Sequence, residues 1–306
     1  YAKIVADKAV IRRLIGAATE IAASAYRGTD DLEDLLDKAE QQIFQVAQRR
    51  SRQGYVALKD VLVETLEKLE HLAAHGAETL GVPSGLGDLD RITTGFQPSD
   101  LIILAARPSV GKSTLAGNIA RNACLRAEVP VIIFSLEMSK EQVAQRLLCS
   151  EAAIPSQKLR NGFLDEDEWR RLSTALGRLG EAKIFIDDTP GVSVMEIRTK
   201  CRRLKAEHGL GMIIVDYLQL MRSTHKAENR QQEISEISRS LKGLARELDV
   251  PVIALSQLSR AVEQRQKQIP QLSDLRESGA IEQDADIVMF HLRVAVKEHD
   301  DVGVLL

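Results

Sequence analysis

Short runs of aliphatic residues alternate with longer amphipathic stretches from residue 101 onward. The runs predict buried strands of a parallel sheet, which are hydrophobic on both faces, and the stretches predict the helices that connect them. The predicted strands span 101–105, 129–135, 183–187, 212–216, 252–256 and 287–291, and the predicted helices lie near 112–127, 139–150, 166–179, 194–208 and 229–249. This alternation predicts an α/β domain in which helices flank a mostly parallel central sheet.

The first part of the chain has a helical period instead. Two helices are predicted with a break around residues 26–31, and a third is predicted over 56–75. The second helix carries apolar residues at three- and four-residue steps, which form one stripe: Leu32, Leu35, Leu36, Ala39, Ile43, Phe44 and Ala47. Packing inside the chain and docking on another subunit are equally compatible with this stripe.

The boundary between the helical part and the α/β domain is predicted near Gly54. Basic residues at 49–52 and the glycine favour a linker there. We therefore expect a helical segment over 1–54 and a larger domain over 55–306, with its core at about 81–291.

A phosphate-binding loop is predicted directly after the first strand. Residues 106–113 have the sequence Ala-Arg-Pro-Ser-Val-Gly-Lys-Ser, a Walker A motif in which alanine replaces the first glycine. Such a loop binds phosphate through main-chain N–H groups at a helix N-terminus, while its lysine reaches the β- and γ-phosphates and its serine binds Mg²⁺. The motif predicts that ATP and Mg²⁺ bind at Ala106, Arg107, Pro108, Ser109, Val110, Gly111, Lys112, Ser113 and Thr114.

Two carboxylates follow predicted strands at the same edge of the sheet. Asp216 ends the strand 212–216 and is predicted to hold Mg²⁺ together with Ser113. Glu137 follows the strand 129–135 and could deprotonate the water that attacks the γ-phosphate. The alternative for Glu137 is a helix-terminal glutamate that interacts with the helix dipole.

Composition limits the remaining possibilities. The net charge of −3 provides no general basic surface, so nucleic-acid binding would need a local patch, loops or assembly into a ring. Cys124, Cys149 and Cys201 are too far apart to indicate a disulfide framework or a zinc site, and a cytoplasmic protein is expected. The longest apolar runs have the length of strands, so no membrane segment is expected.

Four motifs, in order, resemble those of DnaB-type replicative DNA helicases. Residues 134–139, Phe-Ser-Leu-Glu-Met-Ser, are similar to the segment that carries the catalytic glutamate, and 216–221, Asp-Tyr-Leu-Gln-Leu-Met, to the Walker B segment. Residues 254–260, Ala-Leu-Ser-Gln-Leu-Ser-Arg, resemble the sensor strand. Residues 273–286, Ser-Asp-Leu-Arg-Glu-Ser-Gly-Ala-Ile-Glu-Gln-Asp-Ala-Asp, resemble the DNA-facing signature.

This resemblance implies a RecA-like P-loop NTPase that forms a homohexameric ring, moves along single-stranded DNA and unwinds duplex DNA at the replication fork. Primase and a helicase loader are the implied partners. Glu137 and Lys112 would be catalytic, and Gln257 would sense the γ-phosphate. Residues 1–54 would correspond to the helical end of the amino-terminal domain and the linker helix that packs on the neighbouring subunit. The family's Lys-x-Arg arginine finger is not found after His291, so none is assigned.

The same resemblance implies DNA contacts in the central pore. Arg276, Glu277 and Gly279 would touch the single strand, and Lys226 and Arg230 belong to a second candidate loop. A local salt-bridged turn around Arg276, in which Asp274 or Glu277 is the partner, is the alternative for the first set. A solvated loop is the alternative for the second.

Two other functions share parts of this pattern. A RecA- or RadA-like recombination ATPase has the same core, but the run 273–286 disfavours it. A nucleotide-binding assembly protein with little turnover is disfavoured by the combination of Glu137 and Gln257.

Overall fold

The computed structural model describes residues 2–27, 81–222, 229–265, 269–275, 279–295 and 300–305, together with scattered positions between 28 and 80. The chain divides into two compact units, Tyr1–Ala74 and His75–Leu306. In the first unit, helix α1 spans Ala2–Arg27 and ends where the break is predicted. The predicted helices over 31–50 and 56–75 and the linker at Gly54 lie mostly outside the described residues, so the predicted domain boundary stays a prediction.

The second unit is built on a sheet that contains all six predicted strands. They are β1 Leu101–Ala106, β2 Val131–Ser135, β3 Ile184–Asp187, β4 Met212–Asp216, β5 Val252–Gln257 and β6 Ile287–Ala295, followed by β7 Asp300–Leu305. Within the described residues the order is β3-β2-β4-β5-β1-β6-β7. Strands β1 to β6 pair in parallel, and β7 pairs antiparallel with β6.

Two strand predictions need correction. β2 begins at Val131 because the N–H of Val129 still bonds the carbonyl of Ala123 at the end of the preceding helix. β6 continues past His291 to Ala295, and β7 is not predicted at all. The sequence of β7, Asp-Asp-Val-Gly-Val-Leu, contains aspartate and glycine, which are rare in strands, and it therefore has no strand pattern of its own.

All five predicted helices of this unit are present, and additional short ones connect them. They are α2 Gly87–Thr93, α3 Lys112–Ala127, α4 Lys140–Ala152, α5 Ser156–Asn161, α6 Glu166–Glu181, α7 Val194–His208, α8 Arg230–Leu248 and α9 Gly279–Asp284, with 3-10 turns η1 Leu218–Leu220, η2 Arg260–Gln264 and η3 Leu272–Asp274. Capping boxes at Ser139, Asp165 and Ser193 satisfy main-chain N–H groups and set where α4, α6 and α7 begin. None of the helices in the described residues is long and apolar enough to cross a membrane.

The hydrophobic core lies on both faces of the sheet. Successive residues of a strand point to opposite faces. Ile213 accordingly packs in the cluster that contains Ile197 of α7 and Leu241 of α8, whereas Ile214 packs in the cluster that contains Ile119 of α3. Both faces are therefore covered by helices, which explains why the central strands are continuous aliphatic runs.

The carboxyl ends of the parallel strands meet at one edge of the sheet. Ala106 at the end of β1 pairs with Gln257 of β5 on one side and with His291 of β6 on the other. Ser135 of β2 pairs with Asp216 of β4. Ligands of open α/β sheets bind at this edge, and residues predicted to carry the chemistry are gathered there.

Candidate active site

The loop between β1 and α3 has the backbone of an anion-binding site. Ser109 and Gly111 have φ values of 66° and 113°, in the left-handed region. Gly111 caps α3 without a side-chain hydrogen bond, so the first N–H groups of the helix point toward the loop. A Cβ atom at Gly111 would be strained and would lie 3.4 Å from Nε2 of His291. The N-terminus of α3 therefore offers N–H donors and the positive end of its dipole to a phosphate.

A cavity of about 710 Å³ opens above this loop. Every predicted residue of the phosphate loop except Val110 lines the cavity, and so do Glu137 and Gln257. The N–H of Val110 instead bonds the carbonyl of Arg107 inside the loop. The volume falls in the range of small-molecule and cofactor sites.

Further residues line the cavity that were not predicted to belong to the site. Arg146, Cys149 and Ser150 reach the cavity from α4, and Tyr217 reaches it from the end of β4. No motif or spacing marks the α4 residues, because they arrive at the site through the packing of α4 beside the phosphate loop. Tyr217 could have been noticed as the neighbour of Asp216.

Lys112 lies between a carboxylate and an aromatic ring. Its Nζ is 3.8 Å from Oδ1 of Asp216 and 4.6 Å from the ring centroid of Tyr217. Burial lowers the pKa of Lys112, while Asp216 and Glu137 oppose that shift. Desolvation strengthens the attraction between this ammonium and an anion that enters the cavity.

Asp216 has an unsatisfied carboxylate oxygen. The residue is 5% exposed, and its buried Oδ1 has no hydrogen-bond donor among the residues that the structure describes. The ammonium of Lys112, 3.8 Å away, is too distant for a hydrogen bond, and a buried anionic oxygen without a hydrogen bond is unfavourable, so a bound cation would relieve the cost. Ser113 lines a small cavity with Asp216. A hydroxyl and a carboxylate are oxygen ligands of the kind that Mg²⁺ prefers, so the predicted metal-binding pair fits the ion.

Glu137 is exposed in the turn between β2 and α4 and lines the main cavity. The alternative, that Glu137 complements the dipole of α4, is not tested by the structure, which shows that Glu137 is not the capping residue. Ser139 is the N-cap, Gln142 completes the capping box and Glu141 is the acidic residue of the first turn. Glu137 precedes the cap, and its carboxylate belongs to the cavity. The catalytic roles of Glu137, Lys112 and Gln257 stay predictions.

Gln257 ends β5 beside the phosphate loop. It is paired in register with Ala106 and is partly buried. The following residue, Leu258, donates its N–H to the carbonyl of Ala106 at 3.1 Å. The end of β5 is thereby joined to the start of the phosphate loop.

The residues predicted to bind DNA are less completely described. Arg276, Glu277 and Lys226 lie outside the described residues, and Gly279 begins α9. Arg230 begins α8, and its guanidinium donates to the carboxylate of Glu233 and to the carbonyl of Gln219. Arg230 therefore forms intramolecular bonds in the structure. Its contact with DNA stays a prediction.

Asp274, one of the two partners considered for Arg276, forms an ion pair with another arginine. Asp274 is 1% exposed, and both of its carboxylate oxygens accept hydrogen bonds from Arg265 at 2.6 Å. The N–H of Gln271 also donates to Asp274, at 2.7 Å. Asp274 therefore already pairs with Arg265, while Arg276 and Glu277 lie outside the described residues, so the salt-bridged turn considered for Arg276 stays an alternative.

The family model for the DnaB-like helicase C-terminal domain matches residues 81–303. The chain belongs to this family. It is 56% identical to the replicative DNA helicase DnaC of Bacillus subtilis and 55% identical to the replicative DNA helicase DnaB of Geobacillus stearothermophilus, each over 294 residues. Each alignment covers 96% of this chain and 65% of the relative, so the chain spans about two thirds of the length of these DnaB-type relatives.

Two solved structures share the fold. One, described as an ATPase domain, has a TM-score of 0.76 at 40% identity, and the similarity covers 82% of this chain and 95% of that chain. A DnaB-like replicative helicase, whose structure was described with its interactions with primase, has a TM-score of 0.80 at 35% identity, over 99% of this chain and 74% of that chain. The predicted resemblance to DnaB-type helicases and the predicted RecA-like α/β fold are both confirmed.

Proposed function

We propose that this chain is the ATP-hydrolysing motor of a replicative DNA helicase. The observation that supports the proposal is the juxtaposition of the phosphate loop, the unsatisfied oxygen of Asp216, Glu137 and Gln257 at one sheet edge of a DnaB-like domain. Family membership favours this function over a recombination ATPase, which shares the fold but not the family.

The chain's own residues account for ATP binding. The N–H groups at the start of α3 would bind the phosphates, and the Nζ of Lys112 would move from Asp216 toward the β- and γ-phosphate oxygens, whose greater charge attracts it more strongly. Ser113 and Asp216 would hold Mg²⁺, which neutralises phosphate charge when bound. Arg146 and Tyr217 line the same cavity and would contact the rest of the nucleotide.

Hydrolysis needs a base that faces the γ-phosphate. The carboxylate of Glu137 would accept a proton from water as the water oxygen bonds to the γ-phosphorus and the bond to the β-phosphate oxygen breaks. Lys112 would stabilise the charge that develops on the transferred phosphoryl group. Gln257 lies between the phosphate loop and the segment that follows β5, where its amide would contact the γ-phosphate.

Assembly and partners extend the proposal. The motor would act as a homohexamer in the bacterial cytoplasm, with a single DNA strand in a central pore contacted by Arg276, Glu277, Gly279, Lys226 and Arg230. The net charge of −3 supports such a local arrangement, because the chain has no general basic surface. Primase is a proposed partner, since one structural relative was described with its interactions with primase, and a helicase loader is proposed from the family resemblance.

Three measurements on the 306-residue chain test the proposal. Steady-state ATP hydrolysis is expected to rise when single-stranded DNA is added, and a forked duplex is expected to be separated only when ATP and Mg²⁺ are both present. Mass photometry with nucleotide and DNA is expected to detect a closed hexamer. Hydrolysis that ignores DNA, without strand separation, would contradict a helicase motor, and an open filament would instead indicate a recombination ATPase.

A further inference from the structure

The phosphate loop is bonded to the segment that follows β5. Arg107 donates from Nη1 to the carbonyl of Leu258 at 2.8 Å and from Nε to the carboxylate of Glu263 at 2.7 Å. The side chain of Arg107 is 16% exposed, so its bond to Leu258 is partly shielded from water, whereas the carboxylate of Glu263 is 56% exposed. A displacement of the loop at Arg107 therefore acts directly on Leu258 and on the turn η2.

The same segment is bonded to the residues that precede the predicted DNA contacts. Leu258 forms an antiparallel bridge with Leu275, and the N–H of Ser259 donates to the carbonyl of Asp274 at 2.9 Å. The side chains of Leu258 and Leu275 are buried together in the main core cluster. The end of β5 and the turn η3 are thus held as one unit.

An ion pair between Arg265 and Asp274 also joins the segment after β5 to the turn η3. Arg265 directly follows η2, and Asp274 is the last residue of η3. The guanidinium and the carboxylate form two parallel bonds at 2.6 Å, and the side chain of Asp274 is only 2% exposed. This bidentate geometry fixes the orientation of both groups as well as their distance.

A buried ion pair of this kind is poor evidence for added stability, because desolvation offsets most of its attraction. The pair instead fixes the relative positions of the two segments that it joins. We propose, on the basis of the proposed helicase function, that Arg265 and Asp274 are positioning residues that couple the phosphate loop to the DNA-binding segment. The path runs from Arg107 through Leu258 and Glu263 to η2 and then across the pair to η3.

Neither residue of the pair lines the cavity or belongs to the phosphate loop, so changing it is expected to alter DNA coupling and to leave basal hydrolysis intact. Arg265→Lys keeps the charge but cannot form the two parallel bonds. Asp274→Asn keeps the shape but removes the charge. For both variants we expect basal kcat and KM for ATP within about twofold of the parent, and about a tenfold increase in the DNA concentration that half-maximally stimulates hydrolysis, the scale of one lost charge-assisted hydrogen bond.

Glu168→Gln is the matched control. Glu168 is also a buried carboxylate, 5% exposed, with a partly exposed cation, because Lys158 donates to it at 2.6 Å. This pair joins α5 to α6 and has no bond to β5 or η3 among the described contacts. The control variant is expected to be stimulated by DNA like the parent.

Binding of a fluorescent single strand provides a readout that does not depend on turnover. In the parent, DNA affinity is expected to differ between ADP and a nonhydrolysable ATP analogue, and Arg265→Lys is expected to reduce that difference about tenfold, the scale of one lost charge-assisted bond.

DNA responses equal to those of Glu168→Gln would overturn the proposal, as would parallel losses of basal and stimulated hydrolysis. If Asp274→Asn fails to fold, Arg265→Lys carries the test, because it leaves Asp274 with a cation. A parent that hydrolyses ATP without any response to DNA would overturn the proposed function and the role of the pair with it.

Discussion

Individual side chains in the cavity are held in states that suit phosphate chemistry. Lys112 is attracted by Asp216, yet the two are 3.8 Å apart, so the ammonium is not locked in a short ion pair. Asp216, which lines the neighbouring small cavity, keeps one oxygen without a hydrogen bond among the described residues, and Glu137 lines the main cavity from the turn before the N-cap Ser139. These three residues therefore retain the capacity to bind or react.

Removing the ammonium group of the phosphate loop tests its role directly. Lys112→Ala is expected to lower ATP turnover by about 10² to 10³-fold, the scale for loss of one charge-stabilising donor. Lys140→Ala is the control, because Lys140 is exposed at the start of α4 and does not line the cavity. Phosphate release measured at saturating ATP gives the comparison. Near-parental turnover in Lys112→Ala would show that ATP is not hydrolysed at this loop.

Replacing the carboxylate of the proposed base by an amide distinguishes its role in hydrolysis from a role in nucleotide binding. Glu137→Gln is expected to keep nucleotide binding and to slow hydrolysis by roughly 10² to 10⁴-fold, because the amide cannot accept the proton from water. Glu141→Gln, four residues along the chain in the first turn of α4, is the matched control. Nucleotide affinity is measured by titration with a fluorescent ADP and turnover by phosphate release. Equal losses in affinity and turnover would make Glu137 a structural residue.

At the scale of elements, an ion pair links the neighbouring helices α5 and α6. The capping box at Asp165 sets the start of α6, and Glu168, its third residue, also binds Lys158 of α5. The hydrogen bond from Lys158 lowers the pKa of Glu168, and the bond to the N–H of Asp165 lowers it further. The two helices are therefore linked by a carboxylate that is stabilised in its charged form.

This link predicts a defined pH dependence. A carboxylate whose pKa is lowered on folding contributes stability above its unfolded pKa, near 4.5, and loses it as the pH falls through the folded value. Lys158→Met removes the largest cause of the shift. The difference in unfolding free energy between parent and variant is expected to be largest near neutral pH and to shrink below about pH 4. Urea denaturation near neutral pH and below about pH 4 measures this difference in unfolding free energy.

Arg203→Met is the control for that experiment. Arg203 pairs with Glu207 on the surface of α7, where both side chains are well exposed, so its contribution is screened by water. The Arg203→Met substitution should therefore change the free energy of unfolding little at either pH. A difference for Lys158→Met that is the same at neutral and acidic pH would show that the variant acts through packing and not through the charge of Glu168.

For the whole molecule, the sheet order gathers residues that are distant in the chain. β1 lies between β5 and β6, and this order places the phosphate loop beside Gln257 and His291. Among the described residues, the core of the second unit, His75–Leu306, covers both faces of the sheet and is formed by residues of that unit.

Deleting residues 1–54 therefore separates folding from assembly. The remaining chain is expected to fold and to bind nucleotide, because every cavity-lining residue in the described part of the chain belongs to the second unit. It is expected to form fewer hexamers, since the predicted stripe is lost. Sedimentation velocity with nucleotide measures the assembly state, and a fluorescent nucleotide checks the site. Unchanged hexamers would mean that the ring closes through the ATPase domains alone.

Local patterns determined the six parallel strands, the major helices and the phosphate loop, because each depends on residues that are neighbours in the chain: an aliphatic run for β4, a capping serine for α4, a glycine and a lysine where α3 begins. Strand order also predicted that the phosphate loop, Glu137 and Asp216 meet at one edge of the sheet, whereas other contacts were decided by the tertiary structure alone. The pairing of β7 with β6, the approach of Arg146 to the cavity and the choice of Arg265 as the partner of Asp274 all depend on contacts across the fold. Such contacts leave no periodic signal, because packing of separate elements creates them.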